Sequence, residues 1–227
     1  ITTDTRKKFQ AKIMTVYDKA DEGIFESINH RPSVTFRPNS QFSFSLDGNY
    51  NKSKTDLQYV TTTSSDGKPV YVFGDIQQET LGLVFRANYS ITPNMTIEYY
   101  GQPFVSAGNY SRFKKITDRS ASNYTDRYQI YDDSELSYDS SNREYTVNDG
   151  GSNYTFPNRD FNFNEFSSNM VFRWEYKPGS TVFLVWTQDR SRTGTLGEFS
   201  YNDDLDNLFN IHPDNVFLVK FNHWFSF

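Results

Sequence analysis

From Phe42 to Tyr50 the chain reads "FSFSLDGNY". Phe42, Phe44, Leu46, Gly48 and Tyr50 alternate with Ser43, Ser45, Asp47 and Asn49. A β-strand turns successive side chains to opposite faces, so this stretch is a strand with one apolar and one polar face. The pattern recurs. Leu81, Leu83, Phe85, Ala87, Tyr89 and Ile91 alternate with Thr80, Gly82, Val84, Arg86, Asn88 and Ser90. In the closing stretch "VFLVKFNHWFSF", Phe217, Val219, Phe221, His223, Phe225 and Phe227 share one face.

Three short segments punctuate the pattern: "FRPNSQF" at 36–42, "ITPNMTI" at 91–97 and "YKPGSTV" at 176–182. Pro presets the first corner of a turn and Asn or Gly accepts the left-handed second one. With them the chain divides into eight strands, near 5–17, 24–37, 40–51, 70–91, 94–106, 163–176, 180–190 and 215–227. The connections at about 52–68, 108–160 and 191–213 are long. Short and long connections alternate, so the tight turns gather at one rim and the long loops at the other. An all-β, antiparallel, even-stranded sheet of that form is the pattern of an outer-membrane β-barrel, with residues 1–227 as one barrel segment and the long loops extracellular.

The bulk composition leaves that reading open and closes others. Mean hydropathy is −0.73 and no apolar run approaches twenty residues, so the chain has no helical membrane span. A strand that crosses with one polar face escapes a hydropathy scan. A net charge of −5 argues against nucleic acid as a partner. There is no Cys for disulfides or thiolate metal sites. The chain begins at Ile1 without a signal peptide and reads as a mature, truncated or partial chain.

Periodicity alone does not say which face points inward. A soluble barrel or β-sandwich buries the apolar face; a membrane barrel turns it to lipid. Three features favour lipid. Aromatics cluster by the tight-turn rim (Phe36, Tyr89, Trp174, Tyr176, Phe225, Phe227), as in an interfacial girdle. The strands are long for a soluble sheet. The last strand, through Phe217, Val219, Phe221, Phe225 and Phe227, resembles the terminal signal read by outer-membrane assembly machinery, with His223 interrupting it. The seventh strand, "TVFLVWTQ", is apolar on both faces and has no readable orientation.

With lipid outside, Lys12, Arg31, Asp47, Arg86, Glu98, Glu165, Arg173, Glu175 and Lys220 share the interior. Charges of mixed sign there are paired struts or the lining of a weakly selective pore. The three His lie apart, at 30, 212 and 223, without metal-ligand spacing. Asp203, Asp204, Asp206 and Asn207 lack the full pattern of a calcium loop and read as a solvated acidic loop. No nucleophile elbow or phosphate loop is present, so the expectation is no cofactor, no metal and no catalysis. The 108–160 segment shows no strand pattern and is rich in Tyr. Among these, Tyr124, Tyr128, Tyr131 and Tyr138 are candidates for stacking on a glycan or a partner protein.

Two stretches carry a more specific likeness: "ITPNMTIEYYGQPFVSAGNY" at 91–110 and "SSNMVFRWEYKPGSTVFLVWT" at 167–187. With the closing strand, they resemble the C-terminal β-barrel of a Bacteroidota outer-membrane family of unknown function. Its members carry an N-terminal domain similar to carbohydrate-binding module family 9. The resemblance implies a larger barrel, of which this chain is the C-terminal part, with its first strand pairing with residues outside it. It brings no catalytic residues. The expected role is passage across the bacterial outer membrane or scaffolding in an outer-membrane complex. The expected partners are outer-membrane lipid, the assembly machinery and other outer-membrane proteins or glycans. The alternative is a surface binding module acting through the Tyr-rich loops; a soluble β-sandwich binding protein ranks below it.

Overall fold

The computed structural model describes residues 1–225. Strands account for 69% of the chain. In order they are β1 (Phe9–Lys19), β2 (Phe25–Phe36), β3 (Phe42–Ser65), β4 (Lys68–Thr92), β5 (Met95–Ile116), β6 (Tyr128–Ile130), β7 (Leu136–Asp139), β8 (Glu144–Asp149), β9 (Ser152–Pro157), β10 (Phe161–Lys177), β11 (Ser180–Gly194) and β12 (Asp214–Asn222). Among the described residues one α-helix, α1 (Tyr201–Phe209), lies between β11 and β12, and two short 3-10 turns occur at Asp21–Gly23 and Tyr124–Arg127. Among the described residues no helix is long and apolar enough to cross a membrane.

The long strands form one antiparallel sheet in the order β1-β2-β3-β4-β5-β10-β11-β12, with β6 added to the far end of β5. Its outer strands, β1 and β12, do not pair with each other; residues 1–3 bond along part of the outer side of β1, at Ala11 and Ile13, while β12 is an open edge. The sheet is therefore not a closed barrel. A second, three-stranded sheet, β7-β8-β9, sits at the end where the long connections gather. The eight expected strands are all present, and the three Pro-containing turns join β2 to β3, β4 to β5 and β10 to β11.

Register turns the alternation of the sequence into two complete faces. One row across the sheet reads Phe9, Phe36, Phe44, Ala87, Tyr99, Met170, Trp186, Phe217. The adjacent row, one residue along each strand, reads Gln10, Thr35, Ser45, Arg86, Tyr100, Asn169, Thr187, Val216. A one-residue slip of any strand would exchange its faces, so apolar and polar neighbours hold the register together. The pairing also orients the seventh long strand: Val182, Leu184 and Trp186 of β11 join the apolar face.

The two faces are stitched differently. On the polar face, side chains bridge neighbouring strands: Asn29 to Asn49 at 2.7 Å, Ser33 to Asp47 at 2.6 Å, Thr80 with Ser106 at 2.8 Å and Asn169 to Thr187 at 3.0 Å. Such cross-strand pairs contribute roughly 0.2–1 kcal/mol each. On the apolar face, rings meet across strands: Phe42 with Tyr89, Phe85 with Tyr99, Trp186 with Phe217. The Phe85 ring presses on Gly101, where a Cβ would come within 2.3 Å of it. Much of this face is open to solvent: Leu184 is 45% and Phe217 75% exposed.

Several expected boundaries differ. Residues 52–68 are not a loop. β3 and β4 continue as a hairpin whose turn is only Asp66 and Gly67, both left-handed (φ 51° and 75°). The Thr-rich sequence there pairs as strand once its partner is beside it. The 108–160 segment is not irregular either; it extends β5 and then folds into β6 to β9. Of 191–213, only residues 195–213 lie outside strands, and they hold α1.

Candidate functional site

The long connections build a cap with its own core. Val60, Val72, Phe113, Tyr131, Val147, Tyr154 and Phe156 are buried together, drawn from the β3/β4 hairpin, β5, the residue after β6 and the small sheet. Fully burying side chains of this size contributes roughly 1.5–3 kcal/mol each. Gly150 and Gly151, both at positive φ, make the tight turn between β8 and β9. Tyr145 stacks on Phe156 and tilts against Phe113, with centroids 5.3 and 4.6 Å away. Tyr138 covers the other side of Tyr145 at 4.6 Å.

This core reassigns the candidate tyrosines. Tyr124 and Tyr131 are buried, so they are packing residues rather than surface contacts. The Tyr131 hydroxyl accepts a hydrogen bond from Tyr154 at 3.0 Å. Burial pushes the Tyr124 phenol up to about 12 and raises Tyr131 further. Tyr128 is half-buried, its ring 4.8 Å below Lys114 Nζ. Tyr138 alone of the four is exposed.

Beneath the cap, Lys114 Nζ donates to Asp75 Oδ1 at 2.6 Å and to the Asp56 carbonyl. Arg112 adds a bond to Asp75 Oδ2 at 3.1 Å. A bulge creates this cluster. Between the pairs Phe73–Lys114 and Asp75–Ser111, β5 has two residues, Arg112 and Phe113, opposite Gly74 alone. Arg112 takes a left-handed backbone (φ 47°) at that point. A bulge re-aims side chains, and here it turns two cations toward one carboxylate.

Residues 195–209 cross the apolar face at the capped end of the sheet. Phe199 meets Tyr50 and Phe209 meets Phe166. The helix is held at both ends. Asn162 Nδ2 donates to Asp204 Oδ1 at 2.8 Å, and Asp204 Oδ2 accepts from the Ser200 N–H at the helix start. At the other end Arg190 donates to the carbonyls of Phe209 and Ile211, a cation against the negative end of the helix. Two clefts flank this segment. One, of about 340 Å³, lies between it and the small sheet. The other, of about 410 Å³, lies by Asn162, Asp203 and Asp204.

A family model described as a domain of unknown function, DUF5916, matches residues 1–227. The chain belongs to this family. No curated protein and no solved structure matches it.

In this DUF5916 chain, the nine charges assigned to an interior all fall on the polar face. Register places Lys12, Arg31, Asp47, Arg86, Glu98, Glu165, Arg173, Glu175 and Lys220 on the same side. Some are paired there: Arg86 with Asp47 at 3.9 Å and Arg173 with Glu175 at 2.9 Å. Arg31 donates to Asn29, and Lys220 lies 6.0 Å from the Phe183 ring centre. Of the closing-strand residues, Phe217, Val219 and Phe221 line the apolar face of edge strand β12. β12 ends at Asn222, and Phe225 lies beyond it, 4.5 Å from the His223 ring. Phe227 lies outside the described residues.

The sequence reading missed Asp75, Lys114, Asn162 and Asn164, and it placed Asp204 in a solvated acidic loop, whereas residues 203–207 lie in α1 and Asp204 is buried, held by Asn162. All five are buried polar side chains. The one signal for them is negative: Lys114 and Asp75 interrupt stretches that pair as strand on both sides. Among the described residues, no three His, Cys, Asp or Glu side chains gather as a metal site.

Proposed function

We propose that this chain is a wall segment of an outer-membrane β-barrel. Its apolar face meets lipid and its polar face meets a water-filled interior. The role is passage or scaffolding, without chemistry of its own. The observation behind this reading is the pair of adjacent rows: one nearly all apolar across eight strands, the next nearly all polar, in a sheet that, among the described residues, has no second large sheet against either face. In a sandwich the apolar row would lie under a partner layer. The apolar band runs from Phe42 to Tyr50, Leu81 to Ile91, Met95 to Val105 and Phe166 to Tyr176, its capped end being covered by protein, where Tyr50 and Phe166 meet residues 195–209 and Val105 is buried. These are nine to eleven residues each, what a tilted strand needs to cross the hydrocarbon. The open edge at β12, and a β1 that does not close onto it, fit a wall whose remaining strands come from elsewhere in a longer protein, as the likeness to the carbohydrate-binding-module-bearing family implies.

Quenching of single-Trp variants by brominated lipid tests the proposal. Trp186 and Trp174, on the apolar face, are expected to be quenched in reconstituted protein, and a Trp placed at Asn169 is not. Quenching of position 169 but not 186 would exchange the faces and favour a soluble fold.

A second reading, compatible with the first, is that the cap recognises a glycan or a partner protein at the surface. It is supported by one feature: the cap is folded around its own core and holds Tyr138 exposed at the mouth of a cleft.

A further inference from the structure

We infer that the cleft between the small sheet and residues 195–198 binds a neutral oligosaccharide. This deepens the second reading and rests on it. At about 340 Å³ the cleft falls in the size range of small-ligand sites. Tyr138, Arg143, Tyr145, Asn158, Asp160 and Glu198 line it.

The arrangement is fixed before any ligand arrives. Tyr138 rests on Tyr145, which leaves its other side 45% exposed overall. Asn158 Nδ2 donates to the Tyr138 hydroxyl at 3.3 Å and to Asp160 Oδ2 at 3.0 Å. Asp160 also accepts the Tyr110 N–H at 2.6 Å. Arg143, held in a left-handed backbone (φ 54°), reaches across the cleft to the carbonyls of Asp160 at 3.0 Å and Thr195 at 2.6 Å. A pre-set site binds with little ordering cost.

The chemistry of the lining selects the ligand. A pyranose offers one apolar C–H face and a rim of hydroxyls. The first matches an exposed Tyr ring; the second matches an amide, a guanidinium and carboxylates. Two carboxylates, Asp160 and Glu198, against one Arg143 disfavour an acidic sugar.

The second cleft argues for several sugar units. It shares Thr195, Leu196 and Glu198 with the first. Asn162 borders it and is 6% exposed, with both Nδ2 bonds made inside the protein, to the Glu198 carbonyl and to Asp204. Its Oδ1 has no hydrogen-bond partner among the described residues.

Calorimetric titration of the purified full-length protein tests this, using hexasaccharides of glucose, mannose, xylose and N-acetylglucosamine, with oligogalacturonate as the acidic control. At least one neutral hexasaccharide is expected to bind, and its monosaccharide to bind about tenfold more weakly or worse. Tyr138→Ala and Glu198→Gln should each weaken binding about tenfold, and Tyr138→Phe should bind nearly as the parent does. Glu198→Gln guards against misfolding of the Tyr138→Ala cap, because Glu198 is exposed. The inference is overturned if no neutral hexasaccharide binds, if both weakening variants bind normally, or if oligogalacturonate binds best. A protein partner captured through the cap, with no saccharide bound, would overturn the inference while leaving the cap as a recognition surface.

Discussion

Asp75 and Lys114 are bonded at 2.6 Å with side chains only 2% and 1% exposed, which makes them the one ion pair among the described residues with both partners buried. They stand where the long sheet becomes the cap, so their pairing ties the two together. Breaking such a pair by removing one partner costs about 3–5 kcal/mol, because the other charge stays buried. Lys114→Met should therefore destabilise the cap by about 3 kcal/mol, the low end, since Arg112 still reaches Asp75. The double variant Asp75→Leu/Lys114→Met should recover much of that loss. Thermal unfolding followed by near-ultraviolet circular dichroism checks it. A double variant less stable than Lys114→Met alone would mean that the pair contributes more than it costs to bury.

The helix pins give a second prediction. Asp204→Ala removes the acceptor of Asn162 and the cap of the Ser200 N–H together. A loss of about 1–2 kcal/mol is expected, local to residues 195–213. Limited proteolysis should then cut within this segment while β10 and β11 stay protected. Cleavage spread through the sheet would show that the segment is not an independent unit.

The buried phenols set a limit at high pH. Tyr124, Tyr131 and Tyr154 all have phenols raised above the ordinary value, burial being the largest cause. A group raised in the folded state keeps its full contribution below its unfolded value near pH 10 and loses it above that. Stability of the cap should therefore fall from about pH 10 toward pH 12, Tyr124 alone accounting for roughly 2 kcal/mol. Tyrosinate absorbance should show these rings ionising together as the cap opens. Independent, gradual ionisation with the cap intact would contradict the burial.

How much of this the sequence made legible depended on what local pattern can carry. Alternation reports which residues share a face, so the strands, the three turns and the common side of Lys12, Asp47 and Lys220 were all readable. The orientation of β11 was not, because Phe183 and Leu184 are both apolar and only the pairing with β10 and β12 separates them. The cap was missed for a related reason. Its strands are three to six residues long and pack by rings such as Phe113, Tyr145 and Phe156, which come from distant segments. Their contacts leave no short-range period. Tyr124 and Tyr131 looked like surface binders on composition alone, yet aromatic rings with a hydroxyl serve a small core as well as a binding face.

The sidedness of the wall is the prediction on which both proposals about surface exposure turn. The turn at 37–41 and the small sheet lie at opposite ends of the long strands. In barrels with tight turns on the periplasmic side, the cap then opens to the cell exterior. Ser137 is exposed on β7, and Ser40 is exposed in the turn between β2 and β3. Ser40 is a better probe than Asn39, whose side chain accepts bonds from the N–H groups of Gln41 and Phe42 and holds the turn. The chain has no Cys of its own, so each substitution reports alone. Ser137→Cys should react with an impermeant maleimide on intact cells, and Ser40→Cys only after lysis. The opposite result would invert the topology, place the Tyr138 cleft on the periplasmic side and restrict its ligand to what reaches that compartment. Labelling of neither position before lysis, with the protein absent from the membrane fraction, would remove the wall reading itself.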